Sequence, residues 1–418
     1  MVVSSMGYST ITKSISVNNG QTQEIDFEME EDAILLDNVV VSTNRGEVKR
    51  REASNIVNVL TPKVFELNNA SCLAQGLNFQ PGVRVENNCQ NCGFTQVRIN
   101  GMDGPYTQIL INSRPIFSAL AGVYGLEQIP TNMIERVEVV RGGGSALFGA
   151  NAIAGTINII TKEPLNNSVS VSNNTTLING RKADVNTGVN AVLVSNNGRY
   201  GASLYGSATQ RQGYDHDGDG FTEIGKLSSH NLGVNCFFKT SLQSKLSLEY
   251  HNSYEFRRGG DSLMLPADRA NVAEQTEHFV NSGGLKFDWF TSDYKHRIGV
   301  YASTQHVHRD SYYGTHQDPN AYGTTNDLTI VGGIQYVYSM AKCWFLPAEL
   351  TVGAEVNYNS LHDETISHRH DLQQEVFTYS AFAQNEWKNS QWTFLLGLRM
   401  DKHSMIKMPI FSPRVNLR

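Results

Sequence analysis

The stretch "IERVEVVRGGGSALFGANAIAGTINIITK", residues 134–162, decides how the rest of this sequence is interpreted. In this stretch Val137, Val139 and Arg141 alternate with Glu138 and Val140, a period of two that predicts a β-strand. Three glycines, Gly142 to Gly144, end that strand, and a second strand is predicted from Thr156 to Ile160. The small residues between the two strands leave room for backbones to pack closely.

A glycine-rich turn between strands is also found where proteins hold phosphate groups. That interpretation lacks a Lys-Ser/Thr pair after the turn and a long helix whose N-terminus would face the anion. The segment resembles instead the end of the plug domain of TonB-dependent outer-membrane receptors, where strands like "IERVEVVRG" and "INIITK" flank a Gly-Ser-Ala-Leu-Phe-Gly turn. Residues 97–116 resemble an earlier pair of plug strands. The family usually has Asp-Gly where this chain has Asn112-Ser113, so a different turn type is expected there.

The composition narrows the class of protein. The chain has 418 residues, enough for more than one domain, and a net charge of −6 that argues against nucleic-acid binding. It contains no apolar run of about eighteen residues, so no transmembrane helix is predicted. A transmembrane β-barrel stays compatible with this composition, because its strands alternate lipid-facing and lumen-facing residues. Five cysteines, an odd number, predict no disulfide framework.

The chain changes character at about residue 165, where apolar and polar residues begin to alternate in segments such as 246–250, 350–358 and 394–400. Segments of about ten residues separated by polar turns are typical of transmembrane barrels. We count roughly a dozen such strands, whereas plugged outer-membrane transporters have about 22. We therefore expect about half of a barrel here, with an export signal and further strands outside this sequence.

A soluble antiparallel sheet shows the same alternation and is the competing interpretation. Two features favour lipid: charges are confined to one face of the predicted strands, and tryptophans lie near predicted strand ends, as in an aromatic girdle. The charges are Glu355, Glu386 and Arg399, and the tryptophans are Trp289, Trp344, Trp387 and Trp392.

The predicted fold is β-rich, an α+β plug domain inside an antiparallel transmembrane β-barrel that is incomplete in this chain. Residues 1–34 resemble the last strands of a carboxypeptidase regulatory-like β-sandwich, with a hairpin predicted from segments 11–17 and 25–29 around a turn at 18–20. The expected domains are that remnant, a TonB-box segment at 35–45, the plug at 46–164 and the barrel part at 165–418. Within the plug we predict a helix over 61–75 and strands at 83–85, 95–99 and 108–111.

The segment "LLDNVVVSTNR" has strand propensity and no local partner, so it is suited to adding to the edge of another sheet. It resembles the TonB box, the segment that an energised TonB protein captures. We assign that role to Asp37, Asn38, Val39, Val40 and Val41. The alternative is an ordinary edge strand of the N-terminal piece.

An acidic loop, "DHDGDGFTE", places carboxylates at positions one, three, five and nine of a calcium-loop pattern, with Gly220 for a sharp bend. The candidate ligands are Asp215, Asp217, Asp219 and Glu223. The match is partial, because Lys226 stands where an EF-hand needs a bidentate Glu. A structural Ca²⁺ is the only cofactor considered, and a solvated acidic loop is the alternative.

Cys89 and Cys92 form a C-x-x-C pair in a loop that, by the resemblance, lies at the plug apex and touches substrate. Such a pair can be a redox couple, half of a metal site or a local disulfide. The sequence lacks a thioredoxin-like context and a second C-x-x-C, and an exported protein meets an oxidising compartment, so a disulfide is favoured. Direct contact with a ligand or metal remains the alternative.

Two further segments are predicted to be loops that contact substrate. "QHVHRDSYYGTHQDPNAYG" is rich in imidazoles and aromatic rings, which suit metal ions and planar ligands, although its spacing fits no defined ligand set. "EFRRGGD" offers two cations for an anionic chelate. The candidates are His306, His308, Tyr312, Tyr313, Arg257 and Arg258.

The resemblance implies a receptor in the outer membrane of a Gram-negative bacterium that takes up a scarce metal chelate, a ferric siderophore or cobalamin, using force from TonB and its energy source ExbB/ExbD. It would be a monomer in outer-membrane lipid, with no nucleic-acid partner. No nucleophile elbow, zinc-protease or Walker motif occurs, so an enzyme is not expected. A passive porin or adhesin, and a soluble calcium-binding β-protein, are the alternatives.

Overall fold

The computed structural model describes residues 2–3, 11–13, 25–27, 39–40, 48–49, 53, 55–89, 91, 93–115, 126–142, 147–149, 152–367, 369–389 and 391–418. No helix within these ranges is both long and apolar enough to cross a membrane.

The N-terminal region contributes four short strands, β1 (Val2–Val3), β2 (Ile11–Thr12), β3 (Val39–Val40) and β4 (Val48–Lys49). β1 pairs antiparallel with β2, so the partner of the residues at 11–12 is Val2–Val3 and not the predicted segment 25–29. Residues 25–27 are described and lie in no strand, while the predicted turn at 18–20 falls outside the described residues. β3 pairs with β4.

The plug region is a small α+β unit. Its elements are β5 (Val57–Leu60), α1 (Pro62–Leu67), α2 (Leu73–Leu77), β6 (Val83–Cys89), β7 (Phe94–Ile99), a 3₁₀ turn at Gly104–Tyr106, β8 (Thr107–Ile111), a 3₁₀ turn at Thr131–Met133, β9 (Ile134–Arg141) and β10 (Gly155–Thr161). A four-stranded sheet has the order β5-β9-β10-β8, and β6 pairs with β7 as a separate hairpin. The strands predicted at 83–85, 95–99, 108–111, 137–141 and 156–160 are confirmed.

The predicted single helix over 61–75 is wrong, because the chain forms two short helices there. Pro62 begins α1 at a position where a missing N–H costs nothing. Asn69 then adopts a φ of 50°, which ends the helix, and Leu67 is left exposed. α2 buries Leu73 and Leu77 in the plug core.

β9 and β10 pack as closely as the small residues between them suggest. They pair antiparallel, with Ile157 opposite Val139 and Ile159 opposite Val137, and all four side chains are fully buried. A Cβ atom on Gly155 would overlap the carbonyl oxygen of Val140. Only glycine therefore fits at the start of β10.

The rest of the chain forms one twelve-stranded antiparallel sheet, called the wall below. Its strands are β11 (Ser168–Ile178), β12 (Lys182–Val194), β13 (Tyr200–Arg211), β14 (Lys226–Ser241), β15 (Ser244–Gly260), β16 (Val272–Phe290), β17 (His296–Thr315), β18 (Tyr322–Cys343), β19 (Leu346–Thr365), β20 (His370–Lys388), β21 (Thr393–His403) and β22 (Ile410–Leu417), with a 3₁₀ turn at Ala267–Arg269. Each strand pairs with its neighbours in sequence. The predicted dozen strands are confirmed.

The two faces of the wall differ as predicted. Leu248, Val356 and Leu396 are exposed on the outward face, whereas the intervening inward positions are buried. The predicted charges Glu355, Glu386 and Arg399 all lie on the buried inward face. Arg399 contacts Glu355 at 3.4 Å and Asp401 at 2.8 Å, so charge on this face is paired.

The two ends of the wall also differ. One end has turns such as 242–243 and 344–345, and the other has the longer connections 212–225 and 261–271. The predicted tryptophans Trp289, Trp344, Trp387 and Trp392 all lie at the short-turn end, near strand termini. Trp344 stacks on Trp387 with ring centroids 5.5 Å apart.

The wall curves around the plug, because plug residues contact both of its edge strands, β11 and β22. Asn174 of β11 donates a hydrogen bond to the carbonyl of Asn69 (2.9 Å), and Arg414 of β22 donates one to Asn55 (2.8 Å). Between these, Tyr205 of β13 joins the plug core and Phe382 of β20 packs on the plug residue Phe148. The inward face of the wall is therefore the surface on which the plug rests.

Candidate functional site

The tip of the β6–β7 hairpin lies at the loop end of the wall. The Cys89 thiol contacts the Glu274 carboxylate of β16 at 2.9 Å. Asn91 fits against Gly225 and Gly259, where a Cβ on Gly259 would overlap the Asn91 side chain. Two glycines thus form a slot in the wall for the plug tip. Cys92 lies outside the described residues, so the disulfide with Cys89 stays a prediction.

A buried charge cluster joins the plug to the wall directly below this tip. Arg257 of β15 is 2 % exposed, and its guanidinium contacts Glu255 of the wall (2.8 Å) and Glu127 of the plug. Thr95 of β7 donates a hydrogen bond to the other oxygen of Glu127 (3.2 Å). Glu127 therefore links the apex hairpin to Arg257 by charge-assisted hydrogen bonds, which are stronger than neutral ones.

A second buried ion pair joins plug and wall nearer the short-turn end. Arg114, which follows β8, pairs with Glu249 of β15, and both side chains are less than a tenth exposed. Asn112 donates a second hydrogen bond to Glu249 (2.8 Å). Asn112 and Ser113 both have positive φ, 48° and 65°, the pattern of a type I′ turn. Asp-Gly favours the same turn, so the expected difference in turn type stays a prediction.

The four predicted calcium ligands come together in the 212–225 loop. Oxygens of Asp215, Asp217, Asp219 and Glu223 lie within 4.8 Å of one another. Gly220 has a φ of 91°, which provides the predicted bend, and its N–H donates to Asp215 (2.9 Å). Oxygens on opposite sides of a Ca²⁺ are about 4.8 Å apart, twice a bond of about 2.4 Å, so the donor set fits that ion.

Comparison with known proteins identifies the plug. Residues 49–156 match the model of the TonB-dependent Receptor Plug Domain, and they contain both plug–wall partners, Arg114 and Glu127. The chain thus carries a plug domain of the TonB-dependent receptor type, and it is called the receptor below on the strength of that likeness.

Curated relatives of this receptor include two vitamin B12 transporters named BtuB. The one from Photobacterium profundum is 28% identical over 312 residues, which is 72% of this chain and 50% of the relative. The one from Vibrio vulnificus is 36% identical over 125 residues, 30% of this chain and 20% of the relative. The chain thus spans half or less of the length of these relatives.

Among solved structures, the siderophore receptor PirA from Acinetobacter baumannii superposes with a TM-score of 0.73 at 20% identity, covering 88% of this chain and 59% of that one. This likeness establishes the shared fold. In this chain the plug lies against the inward face of the wall.

The histidine-rich segment is only partly a loop: residues 316–321 connect β17 and β18, but the loop assignment of its first part, which holds the candidate residues, is wrong. His306, His308, Tyr312 and Tyr313 lie within β17, which continues to Thr315. Val307 is buried on the inward face, so His306 and His308 point outward, away from the plug. Tyr312 is fully buried and its hydroxyl donates to the carbonyl of Asp318 (3.0 Å).

The "EFRRGGD" segment likewise continues β15 as far as Gly260 and is not a loop. The two arginines are buried and bound to protein groups: Arg257 pairs with Glu255 and Glu127, and Arg258 donates to the carbonyl of Asp261 (3.2 Å). The Arg257 guanidinium thus connects β15 to the plug, and the Arg258 guanidinium connects β15 to the loop that follows it.

Sequence reasoning missed the roles of Glu127, Arg114 and Glu249. Arg257 and Glu127 are 130 residues apart in sequence, so local spacing gives no sign of their pairing. The sequence of β15 does give one sign of a polar inward face, because every second residue from 249 to 257 is polar. These residues are Glu249, His251, Ser253, Glu255 and Arg257.

Proposed function

We propose that the receptor takes up a scarce metal chelate, cobalamin or a ferric siderophore, across the outer membrane by an energised mechanism. The observation that carries the proposal is the plug itself, held to the wall at β11, β13, β15, β20 and β22. A folded unit held in this way prevents free diffusion past it, so uptake requires that the plug move. TonB, with ExbB and ExbD, is the partner proposed to supply the force.

The cargo class rests on two kinds of relative. Curated relatives are named as vitamin B12 transporters, and structural neighbours as siderophore receptors. Both cargoes are chelated metals that need a wide mouth with high affinity. We place the cargo site at the loop end of the wall, between the Cys89 hairpin tip and the 212–225 loop.

The TonB-capture segment is proposed at residues 37–41. Asp37, Asn38 and Val41 lie outside the described residues, while Val39 and Val40 form β3. Val40 is fully buried against Val57 and Val140 of the plug sheet. Its capture as an added strand by TonB would therefore pull directly on β5 and β9.

Calcium is proposed to order the cargo-facing loop through the four carboxylates described above. No salt bridge within the described part of the chain neutralises them. Four clustered negative charges repel one another, and a divalent cation removes that repulsion. The loop is tied to β15 by the Thr222 N–H, which donates to the carbonyl of Gly260 (3.2 Å), so its order affects the slot beside Gly259.

The test is uptake of labelled cyanocobalamin and of a labelled ferric siderophore by cells that express the complete gene. A variant lacking residues 37–42 is compared with one lacking residues 21–26, a deletion of equal length in the same region. We expect one of the two cargoes to enter cells that carry the control deletion of residues 21–26. The same cargo should not enter cells that carry the deletion of residues 37–42.

Uptake that survives loss of residues 37–42 would instead indicate a passive porin. Failure of both cargoes to bind would favour an adhesin. Recovery of the protein in the soluble fraction would favour the calcium-binding β-protein.

A further inference from the structure

One strand of the wall carries an unbroken polar line on its inward face. On β15 the inward positions are Glu249, His251, Ser253, Glu255 and Arg257, running from mid-wall toward the loop end. The outward neighbours Leu248 and Tyr250 are exposed and apolar or aromatic. None of these five inward positions carries an apolar side chain.

Among the residues that the structure describes, the plug touches this line at both ends and leaves space between. At the loop end Glu127 of the plug pairs with Arg257, and at the other end Arg114 of the plug pairs with Glu249. Two cavities lie between these ion pairs. One of about 60 Å³ is lined by His251 and Ser253, and one of about 30 Å³ by Glu255 and Arg257.

The two cavities are adjacent, because Pro130 and Asn231 line both. Each exceeds the roughly 10–15 Å³ that one water molecule needs. Five lining residues of the larger cavity carry a buried polar atom with no hydrogen-bond partner among the described residues. They are Gln128, Asn231, His251, Ser253 and Gln305.

The flank of the plug against β20 is packed differently. There Leu110, Leu147, Phe148 and Ala152 form an apolar cluster with Phe382. Apolar contact gains from burial and dispersion, whereas a cavity forfeits those contacts and a buried ion pair gives little net stability. Separation of the plug from β15 therefore exposes polar groups that water can hydrate, whereas separation from β20 exposes apolar surface.

We propose that the route of cargo through this receptor runs along the inward face of β15. The ion pairs Glu127–Arg257 and Arg114–Glu249 are its outer and inner gates, and the two cavities are its closed interior. The passage opens when the plug separates from β15 while keeping its apolar contact with β20. This inference rests on the proposed uptake function and adds to it the side on which the plug lets cargo pass.

The first test fills the passage. In the complete receptor, Ser253→Met places a larger side chain in the cavity, and Ser303→Met is the matched control, since Ser303 is inward and buried but lines neither cavity. Binding of labelled cyanocobalamin and ferric enterobactin is measured in unenergised cells, and uptake in energised cells. We expect Ser253→Met to lower uptake about tenfold with binding changed less than about twofold, a split that separates passage from capture.

Equal uptake in Ser253→Met and Ser303→Met would overturn the proposal. So would equal loss of binding and uptake, which would make Ser253 part of the cargo site. If the unsubstituted receptor binds neither probe, the proposed function falls, and the second test still decides the passage.

The second test opens the gates and needs no cargo. The double variant Glu127→Gln with Glu249→Gln removes both plug–wall ion pairs, and Glu255→Gln is the control, because it removes the wall's own partner of Arg257 and leaves Glu127 in place. Purified complete receptor is inserted into planar lipid bilayers without TonB. We expect ion conductance from the double variant, none from Glu255→Gln, and a lower conductance when Ser253→Met is added to the double variant. A closed double variant, or conductance that Ser253→Met leaves unchanged, contradicts the route.

Discussion

At the scale of single residues, this receptor depends on a few positions where only one side chain fits. Gly155 begins β10 against the Val140 carbonyl, and Arg257 is a fully buried cation between two carboxylates from different parts of the chain. The first position was expected from the small residues around it. The sequence instead predicts a ligand-binding loop around Arg257, because two arginines followed by two glycines occur both in loops and at the ends of strands.

Replacing Gly155 with Ala is expected to destabilise the receptor by about 1–3 kcal/mol, because the new methyl group forces β9 and β10 apart. Gly206→Ala is the control, since a Cβ there meets nothing closer than 3.7 Å. Thermal unfolding of both variants in detergent measures the difference. Equal melting temperatures would show that the β9–β10 pair adjusts freely.

Cys72 is expected to resist alkylation while the receptor is folded. Burial raises the pKa of its thiol to about 12, with the Glu127 carboxylate adding to the shift. Because the folded state holds this proton more tightly than the unfolded state, the thiol stays neutral at pH 8, and stability is lost as the pH rises from 9 toward 12. Mass spectrometry after iodoacetamide treatment at pH 8, with the half-buried Cys343 as comparison, checks this; equal modification of both would contradict it.

At the scale of elements, the strands of the wall are longer than a membrane requires. β17 has 20 residues and β18 has 22, whereas a transmembrane strand needs about 9–11. The extra length explains why sequence reasoning placed His306 to Tyr313 in a loop. Where these strands extend beyond the lipid, their outward side chains face water and are no longer apolar. The alternation of apolar and polar residues is therefore lost, although the backbone hydrogen bonds between the strands continue.

The 212–225 loop is the element where local spacing was most informative. Carboxylates at alternate positions converge whenever a tight bend follows them, and the glycines that make the bend are visible in the sequence. The buried pairs Arg114–Glu249 and Glu127–Arg257 lacked any such local sign, since their partners meet only when the plug packs against the wall.

Calcium titration of the complete receptor by calorimetry is expected to show binding with a Kd of about 10⁻⁴–10⁻³ M, the range of extracellular sites. Asp217→Ala and Asp219→Ala should abolish the heat of calcium binding. Asp293→Ala, in a turn at the other end of the wall, should leave it unchanged. Binding that survives both loop substitutions would place the ion elsewhere.

At the scale of the whole molecule, the outward face is an apolar surface between two polar ends, with tryptophans at the short-turn end. Hydropathy alone could not distinguish this from a soluble sheet, and the resemblance of residues 134–162 to a plug decided between them. The twelve strands and the polarity of the two faces were predictable because a period of two survives in every segment that contacts lipid.

Leu248→Arg, on the outward face of β15 four residues after the strand begins at the short-turn end, is expected to destabilise the receptor in phospholipid vesicles by about 2–4 kcal/mol. A transmembrane segment of about 9–11 residues that starts at this end has its centre near Leu248, so the charge would lie near the bilayer midplane. Gln373→Arg, on an exposed outward position near the loop end, is the control and should cost far less. Urea unfolding in vesicles measures both. Similar losses would mean that the apolar surface does not face lipid.

The strand order of the wall affects how the chain folds. Every wall strand pairs with the strand beside it in sequence, so the sheet can assemble one hairpin at a time through contacts of short range. Plug and wall meet over far greater separations, as between Arg418 and the Ala53 carbonyl, 365 residues apart. Closing such loops has a high entropy cost and is slow. The hairpins should thus form first, and enclosure of the plug should be the late, rate-limiting step of biogenesis.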